Sequence, residues 1–415
     1  MKHVSSVSVV VGAVAVAGAL VVSGSMATLS AQGAGAAAGA AAQAAPAAPA
    51  VPTYRVNPLW PLPLPNHRVW GSITGVAVDP QDHIWVVHRG GDSLEANEKG
   101  QMLSPPTSSV CCTAAPFVVE LDQNGRVVSS FGGPGQGYNW PQSPGGITVD
   151  NTGHVWVTAA GLVPPPPGGT GAPPAPTTDA HVIKFTKSGT FVLQIGKPGQ
   201  ATGDDALSRP SAVAVDTAAN EVFIADTGNR RIAVFDSETG KFKRAWGAYG
   251  ERPGADPGAY DPNAAPSRQF RDVTCVEIAK DGMVYVCDRT SNRIQVFQKD
   301  GQFVKEAVVD KNTRGSVVTG QFGVVSSFGS AWDIAFSSDA QQRYLFVADG
   351  QDKNVRILQR DTLRQVGTIG QGGRQPGRFL AVGSIAVDSR GNVYTGEQHH
   401  GKRVQKFAPV TAARQ

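Results

Sequence analysis

Short apolar runs recur along the chain in pairs, the first of each pair usually ending in a carboxylate: GVAVD with IWVVH, GITVD with VWVTA, AVAVD with VFIAD, CVEIA with VYVCD, DIAFS with LFVAD, SIAVD with VYTGE. Runs of this length, rich in β-branched residues and separated by Gly, Asn and Asp, predict antiparallel strands joined by tight turns. A third and usually a fourth run follows: FVVELD and VVSSFG, VIKFT and FVLQIG, RIAVFD and FKRAWG, RIQVF and FVKEAV, VRILQ and VGTIG, then RVQKF alone. Six four-stranded units in series predict an all-β fold, a six-bladed β-propeller. The first strands end at Asp79, Asp150, Asp216, Ala279, Ser337 and Asp388, intervals longer than the roughly 40 to 50 residues a blade needs. The excess lies in insertions at 91–116, 161–179, 248–270 and 307–329. Each follows a second or fourth strand, so all four fall on one face. Blade six lacks a strand, and TYRVNPLWP near the other end can pair beside RVQKF, closing the ring and removing open sheet edges. No helix beyond a turn or two is expected.

Residues 1–31 read as an export signal, with Lys2 as the positive start, an apolar core over 7–22 and Ser25-Met26-Ala27 as a small-x-small cleavage site. Residues 32–52 are almost wholly Ala, Gly, Gln and Pro, a composition that cannot bury enough apolar surface to order itself, and read as a disordered tether. Residues 53–410 remain for one propeller domain. The expectation is an exported protein, periplasmic or extracellular, with no stable membrane span after signal cleavage, acting as a monomer. A net charge of +4 with no clustered basic run argues against nucleic acid as a partner. In an exported chain four cysteines suggest disulfides. Cys275 and Cys287 stand symmetrically about the turn at Asp281, which favours a cross-strand bridge. For the adjacent Cys111 and Cys112 a strained ring, two free thiols and contact with a partner all remain open.

DTGNRRIAVF (226–235) and DRTSNRIQVF (288–297) are close to the D-x-x-N-x-R-[IV]-x-V-F signature of NHL repeats, and the resemblance covers 54–407. Within that family GVAVDPQDHIWVVHRGGD and YRVNPLWPLPLPN resemble the peptidyl-α-hydroxyglycine α-amidating lyase branch. The resemblance implies a catalytic zinc held by three histidines at the positions of Gly145, Thr274 and Gly383, none of which is a histidine here. The branch's aromatic hydroxyl is also missing, Thr227 and Gly228 occupying that stretch. Zinc or calcium is therefore implied by family resemblance alone, and no cofactor is read from the residues. Arg89 and Arg289 match branch positions that face the substrate.

The face that gathers second-to-third loops and the entries to first strands is the expected binding face. His83 and His154, in first-to-second turns, belong to the opposite one. The residues ringing the channel mouth are Thr74, Gly145, Ser211, Thr274, Trp332 and Gly383. Arg89 and Arg289 occupy the same register of blades one and four and can hold a carboxylate bidentately, or else pair with Asp92 or Asp288. Asp226 with Arg231, Asp288 with Arg293, Asp349 with Arg356 and Glu397 with Arg403 recur at one structural place and read as loop clamps. Glu277 replaces a small inner-strand residue, and Asp333 is the one acid at its ring position; both need a partner or the channel. His88, His399 and His400 lie on loops of blades that closure makes neighbours, a candidate metal site.

No G-x-S-x-G, paired-cysteine zinc motif or phosphate-binding glycine loop is present, and the ring lacks the acid and Asn cluster of gluconolactonase-like propellers. No catalytic residue is assigned. The leading expectation is a scaffold that binds an extracellular peptide, protein or carboxylate-bearing ligand through Arg89, Arg289, His88, Trp332, Asp333 and Glu277. The alternative is a lyase-like enzyme with an altered metal site.

Overall fold

The computed structural model describes residues 51–160, 178–313, 317–319, 323–325 and 329–410. The export signal, nearly all of the tether, and most of the 161–179 insertion lie outside the described residues. Six four-stranded antiparallel sheets follow one another along the chain, each running from an innermost strand outward. The innermost strands are Ile73–Val78, Pro144–Val149, Pro210–Asp216, Val273–Ile278, Asp333–Phe336 and Val382–Val387. In blade six the outermost place is taken by Tyr54–Val56, which pairs antiparallel with Val404–Pro409 in the register Tyr54 to Pro409 and Val56 to Phe407. Helical structure among the described residues is limited to 3-10 turns of three or four residues.

The carboxylates that end the first strands shape the hairpins. Asp79 Oδ1 accepts from the backbone N–H of Gln81 and His83, while its Oδ2 accepts from the Trp85 indole of the next strand. Asp150 does the same with Thr152, His154 and Trp156, and Asp388 with Arg390, Asn392 and the Tyr394 hydroxyl. A short acceptor that satisfies a tight turn and ties it to a buried aromatic is worth repeating. His83 and His154 sit in these turns, half-buried. The His83 Nδ1 lies 2.6 Å from Glu120 Oε1.

Apolar residues of one blade pack on the next, so the core is a set of wedges between sheets. Phe223, Val234 and Trp246 of blade three meet Val276, Val286 and Phe297 of blade four in one such wedge. The four clamps are present: Arg231 Nε donates to Asp226 at 2.8 Å, Arg293 Nε to Asp288 at 3.0 Å, Arg356 Nε to Asp349 at 2.8 Å, and Arg403 pairs with Glu397. All four carboxylates are fully buried. Three of the clamps also tie the segment that leads inward, Ser208 N–H donating to Asp226, Arg271 and Asp272 N–H to Asp288, and Leu380 N–H to Glu397. Cys275 and Cys287 are directly opposed across the first hairpin of blade four and form a disulfide. The question left open for Cys111 and Cys112 resolves to a bond between these neighbours.

Closure of the ring rests on residues 54–60. Tyr54 packs edge-on to Phe346 with centroids 5.6 Å apart, and Trp60, 5% exposed, lies against Tyr394 at 5.0 Å. Truncating a buried Trp alone costs about 3–5 kcal/mol. A chain lacking residues 51–64 is therefore expected to melt at least about 5 °C lower, or to aggregate through the exposed edge of Val404–Pro409. An unchanged melting temperature in thermal unfolding monitored by circular dichroism would refute this account of the seam.

Candidate functional site

In five blades the innermost strand slips register against its neighbour: between Ile73 and Gly75, Pro144 and Ile147, Pro210 and Ala212, Val273 and Cys275, and Val382 and Ser384. The residues at these bulges include Thr74, Gly145, Ser211, Thr274 and Gly383, five of the six ring positions. A bulge takes a residue off the ladder and re-aims its side chain. All six ring residues, Trp332 included, line one cavity of about 110 Å³ at the channel mouth. Behind it the central channel has a volume of about 430 Å³.

The small ring side chains are already engaged. Ser211 Oγ lies 3.0 Å from the carbonyl of Val273, Thr274 Oγ1 donates to that of Trp332 at 2.9 Å, and Thr158 Oγ1 to that of Ser211 at 3.1 Å. Each bond runs from one blade to the next, so the hydroxyls stitch the ring. The zinc site implied by resemblance finds no ligands here: Gly145 and Gly383 carry no side chain, and the Thr274 hydroxyl spends its proton on a carbonyl. Among the described residues the one group of three or more side chains whose ligand atoms converge is Asp79, His83 and Glu120, away from the mouth. There Lys187 Nζ already neutralises Asp79 at 2.7 Å.

The histidine metal site is corrected in the same way. His88 Nδ1 accepts from the N–H groups of Gly71 and Gly90 at 3.1 and 3.0 Å, and its Nε2 lies 2.8 Å from the Pro116 carbonyl, so both nitrogens are committed inside blade one. Burial pushes His88 down to about 4. His400 pairs with Glu95 at 3.0 Å. His399 is pushed down to about 4 by burial and by Arg89, His400 and Arg289. A ring nitrogen held neutral by neighbouring cations is a poor place for another cation.

The arginines do converge, but not on the expected partners. Arg289 spends its fork on Asp272, with Nε 2.9 Å and Nη2 2.5 Å from Oδ2, while its guanidinium lies 4.7 Å over the Trp332 ring. Asp288 is already held by Arg293 and by the N–H groups of Arg271 and Asp272. Asp92 is exposed, and the Arg89 side chain makes no ion pair with it. Arg89 Nε is buried with no hydrogen-bond partner among the described residues. Burial, and then Arg289, lower the Arg89 guanidinium to about 10. It remains charged at neutral pH, in a cavity it shares with Arg289.

Deeper in, Glu277 and Asp333 face the channel from blades four and five. Asp333 accepts from the N–H of Ile334 and, across the blade boundary, of Ile385, both at 2.9 Å; burial nevertheless raises it to about 7. Burial first, then the Asp333 charge, push Glu277 well above the usual carboxylate range. Sequence reasoning missed Arg209 and Asp272, which line the mouth cavity too. Both sit at the entry to a first strand, the place already expected to face the mouth, but neither recurs in the other repeats, so neither stood out.

With this geometry in view, the family model for the NHL repeat matches residues 207–235. Peptidyl-glycine alpha-amidating monooxygenase B of Xenopus laevis is 28% identical over 350 residues, covering 82% of this chain and 34% of that protein. Peptidylglycine alpha-amidating monooxygenase of Rattus norvegicus is 25% identical over 243 residues, covering 57% and 22%. The chain thus spans about a third or less of the length of these curated relatives. A structural genomics protein of unknown function from Bacteroides thetaiotaomicron superposes with a TM-score of 0.48 at 15% identity, covering 82% of this chain and 70% of that one. One repeat, residues 207–235, thus matches the NHL repeat, and the closed ring of six blades is similar to the propellers built from such repeats.

Glu277 generates a stability prediction whose sign follows from the direction of its shift. A carboxyl raised by folding costs nothing while both states are protonated, and its cost grows as pH rises past the unfolded value of about 4.3. Glu277→Gln removes that cost, so it is expected to raise the melting temperature by about 2 °C or more at pH 8 and to change it little at pH 4. Equal effects at the two pH values, measured by scanning calorimetry, would contradict the assignment.

Proposed function

We propose that this chain is an exported NHL-repeat scaffold whose channel mouth binds an extracellular peptide or protein through a carboxylate. One observation carries the reading. The Arg89 guanidinium, its Nε buried, lies beside Arg289 and has no counter-charge among the described residues. An uncompensated buried cation is costly, and a carboxylate presented to its planar fork would satisfy it with charge-assisted, directional hydrogen bonds. Trp332, stacked under Arg289, offers an apolar wall to the same cavity, which opens on the face that bears the insertions. The two disulfides suit an oxidising compartment, and among the described residues no helix is long and apolar enough to cross a membrane. The relatives named as amidating monooxygenases keep the lyase reading as the competitor, but the ring positions where that branch would hold zinc carry two glycines and an engaged threonine.

Titration calorimetry with an acetylated peptide ending in a free carboxylate, against the same peptide ending in an amide, tests the reading. The free carboxylate is expected to bind at least tenfold tighter, and Arg89→Gln to remove that difference; losing one partner of a buried charge pair costs about 2–5 kcal/mol. Equal binding of the two peptides, or indifference to Arg89→Gln, would overturn it. Zinc-dependent cleavage of a peptidyl-α-hydroxyglycine substrate would establish the enzyme instead.

A further inference from the structure

The charges around the mouth are unequal in number. Three arginines line the cavity, Arg89 from blade one, Arg209 from blade three and Arg289 from blade four, together with one carboxylate, Asp272. Asp272 belongs to Arg289, which it holds by two hydrogen bonds to a single oxygen. Arg209 has no ion pair or side-chain hydrogen bond among the described residues, and neither has Arg89. His399, near Arg89 and Arg289, is kept neutral and contributes no charge at pH 7.

The backbone fixes where the Arg209 side chain starts. Its φ is +50°, in the left-handed region, and it immediately precedes Pro210, the first residue of the innermost strand. Twelve other non-glycine residues among the described ones share that region, most of them in turns; what sets Arg209 apart is that its side chain lines the mouth. Glycine would serve the turn at lower cost. At this turn an arginine lines the mouth with no ion pair or side-chain hydrogen bond among the described residues.

Resting on the carboxylate reading above, we propose that the mouth takes a dianionic ligand, two carboxylates on one short segment, with Arg89 holding one and Arg209 the other. A single carboxylate leaves one guanidinium without a counter-charge in a narrow cavity. Two carboxylates neutralise both while leaving the Arg289–Asp272 pair and its contact with Trp332 in place. A peptide whose last residue is Asp or Glu meets this description, and so does a free short dicarboxylate.

Titration of the full chain with acetyl-Ala-Gly, acetyl-Ala-Asp and succinate tests this at pH 7 and low salt. Acetyl-Ala-Asp is expected to bind at least tenfold tighter than acetyl-Ala-Gly, and Arg209→Gln to reduce the ratio to under twofold, with Arg209→Lys retaining part of it. Succinate binding as tightly as acetyl-Ala-Asp would assign the site to free dicarboxylates, and weaker succinate binding to acidic peptide ends. A ratio near one in the unaltered protein, or a ratio that survives Arg209→Gln, would overturn the proposal. If acetyl-Ala-Gly binds in an Arg89-dependent way without any preference for the dianion, only this inference fails. If neither peptide binds, the carboxylate reading fails with it. Melting temperatures of the variants separate loss of preference from loss of fold.

Discussion

Six innermost strands have to approach one another around a single axis, and the rest of the molecule answers to that constraint. A Cβ at Gly75 would stand 2.7 Å from the backbone nitrogen of Ile147 in the next blade, and one at Gly146 would stand 2.6 Å from the Ser211 carbonyl. Both approaches are closer than a side chain permits. Backbones this near one another cannot pair as strands, since the ladder directions are used within each blade. What links them are short donors: the hydroxyls of Ser211, Thr274 and Thr158, and on the opposite sense the Asp333 carboxylate accepting from Ile385. Apart from Trp332, ring positions are thus small because of geometry, and Ser211 and Thr274 carry hydroxyls that the junctions use as hydrogen-bond donors.

The same constraint explains where chemistry can sit. The hydroxyls of Ser211 and Thr274 are consumed by the ring, so the charged groups that face the mouth come from outside it, from loops that lean over the mouth. Arg89 and Arg289 follow second strands, while Arg209 and Asp272 precede first strands. Long side chains on these rims reach the cavity without disturbing the junctions. The channel behind keeps two acids, Glu277 and Asp333, whose environment favours the proton over the charge. The channel therefore sets less negative charge behind the mouth than its two carboxyl groups suggest.

Much of this was legible in the chain. The strand pairs and the shortfall of blade six follow from period-two patterning, and the turn carboxylates from their recurrence. The Asp–Arg clamps at Asp226, Asp288, Asp349 and Glu397 could be read as scaffold because they repeat. Individual features resisted for the opposite reason. Nothing in the pattern says that Arg289 turns to Asp272 rather than to its sequence neighbour Asp288; that choice depends on Arg293 having already claimed Asp288. Nor could His88 be told from a ligand, since Gly71, which donates to its Nδ1, comes from the segment before the first strand, and Pro116, whose carbonyl its Nε2 meets, from the far end of the first insertion. Arg209 carries no repeat signature, and only the fold brings it to the mouth.

The seam between Tyr54–Val56 and Val404–Pro409 joins the two ends of the folded region. Until the last strand has been synthesised, blade six has no outer neighbour to receive the first, and every earlier blade stands in an open arc with two unprotected flanks. Contacts this distant along the chain are slow to form, because the loop they close is nearly the whole domain. The propeller cannot lock while its tail is still being delivered. A polypeptide built this way stays pliable for the duration of its own synthesis and commits to its final shape in one late step.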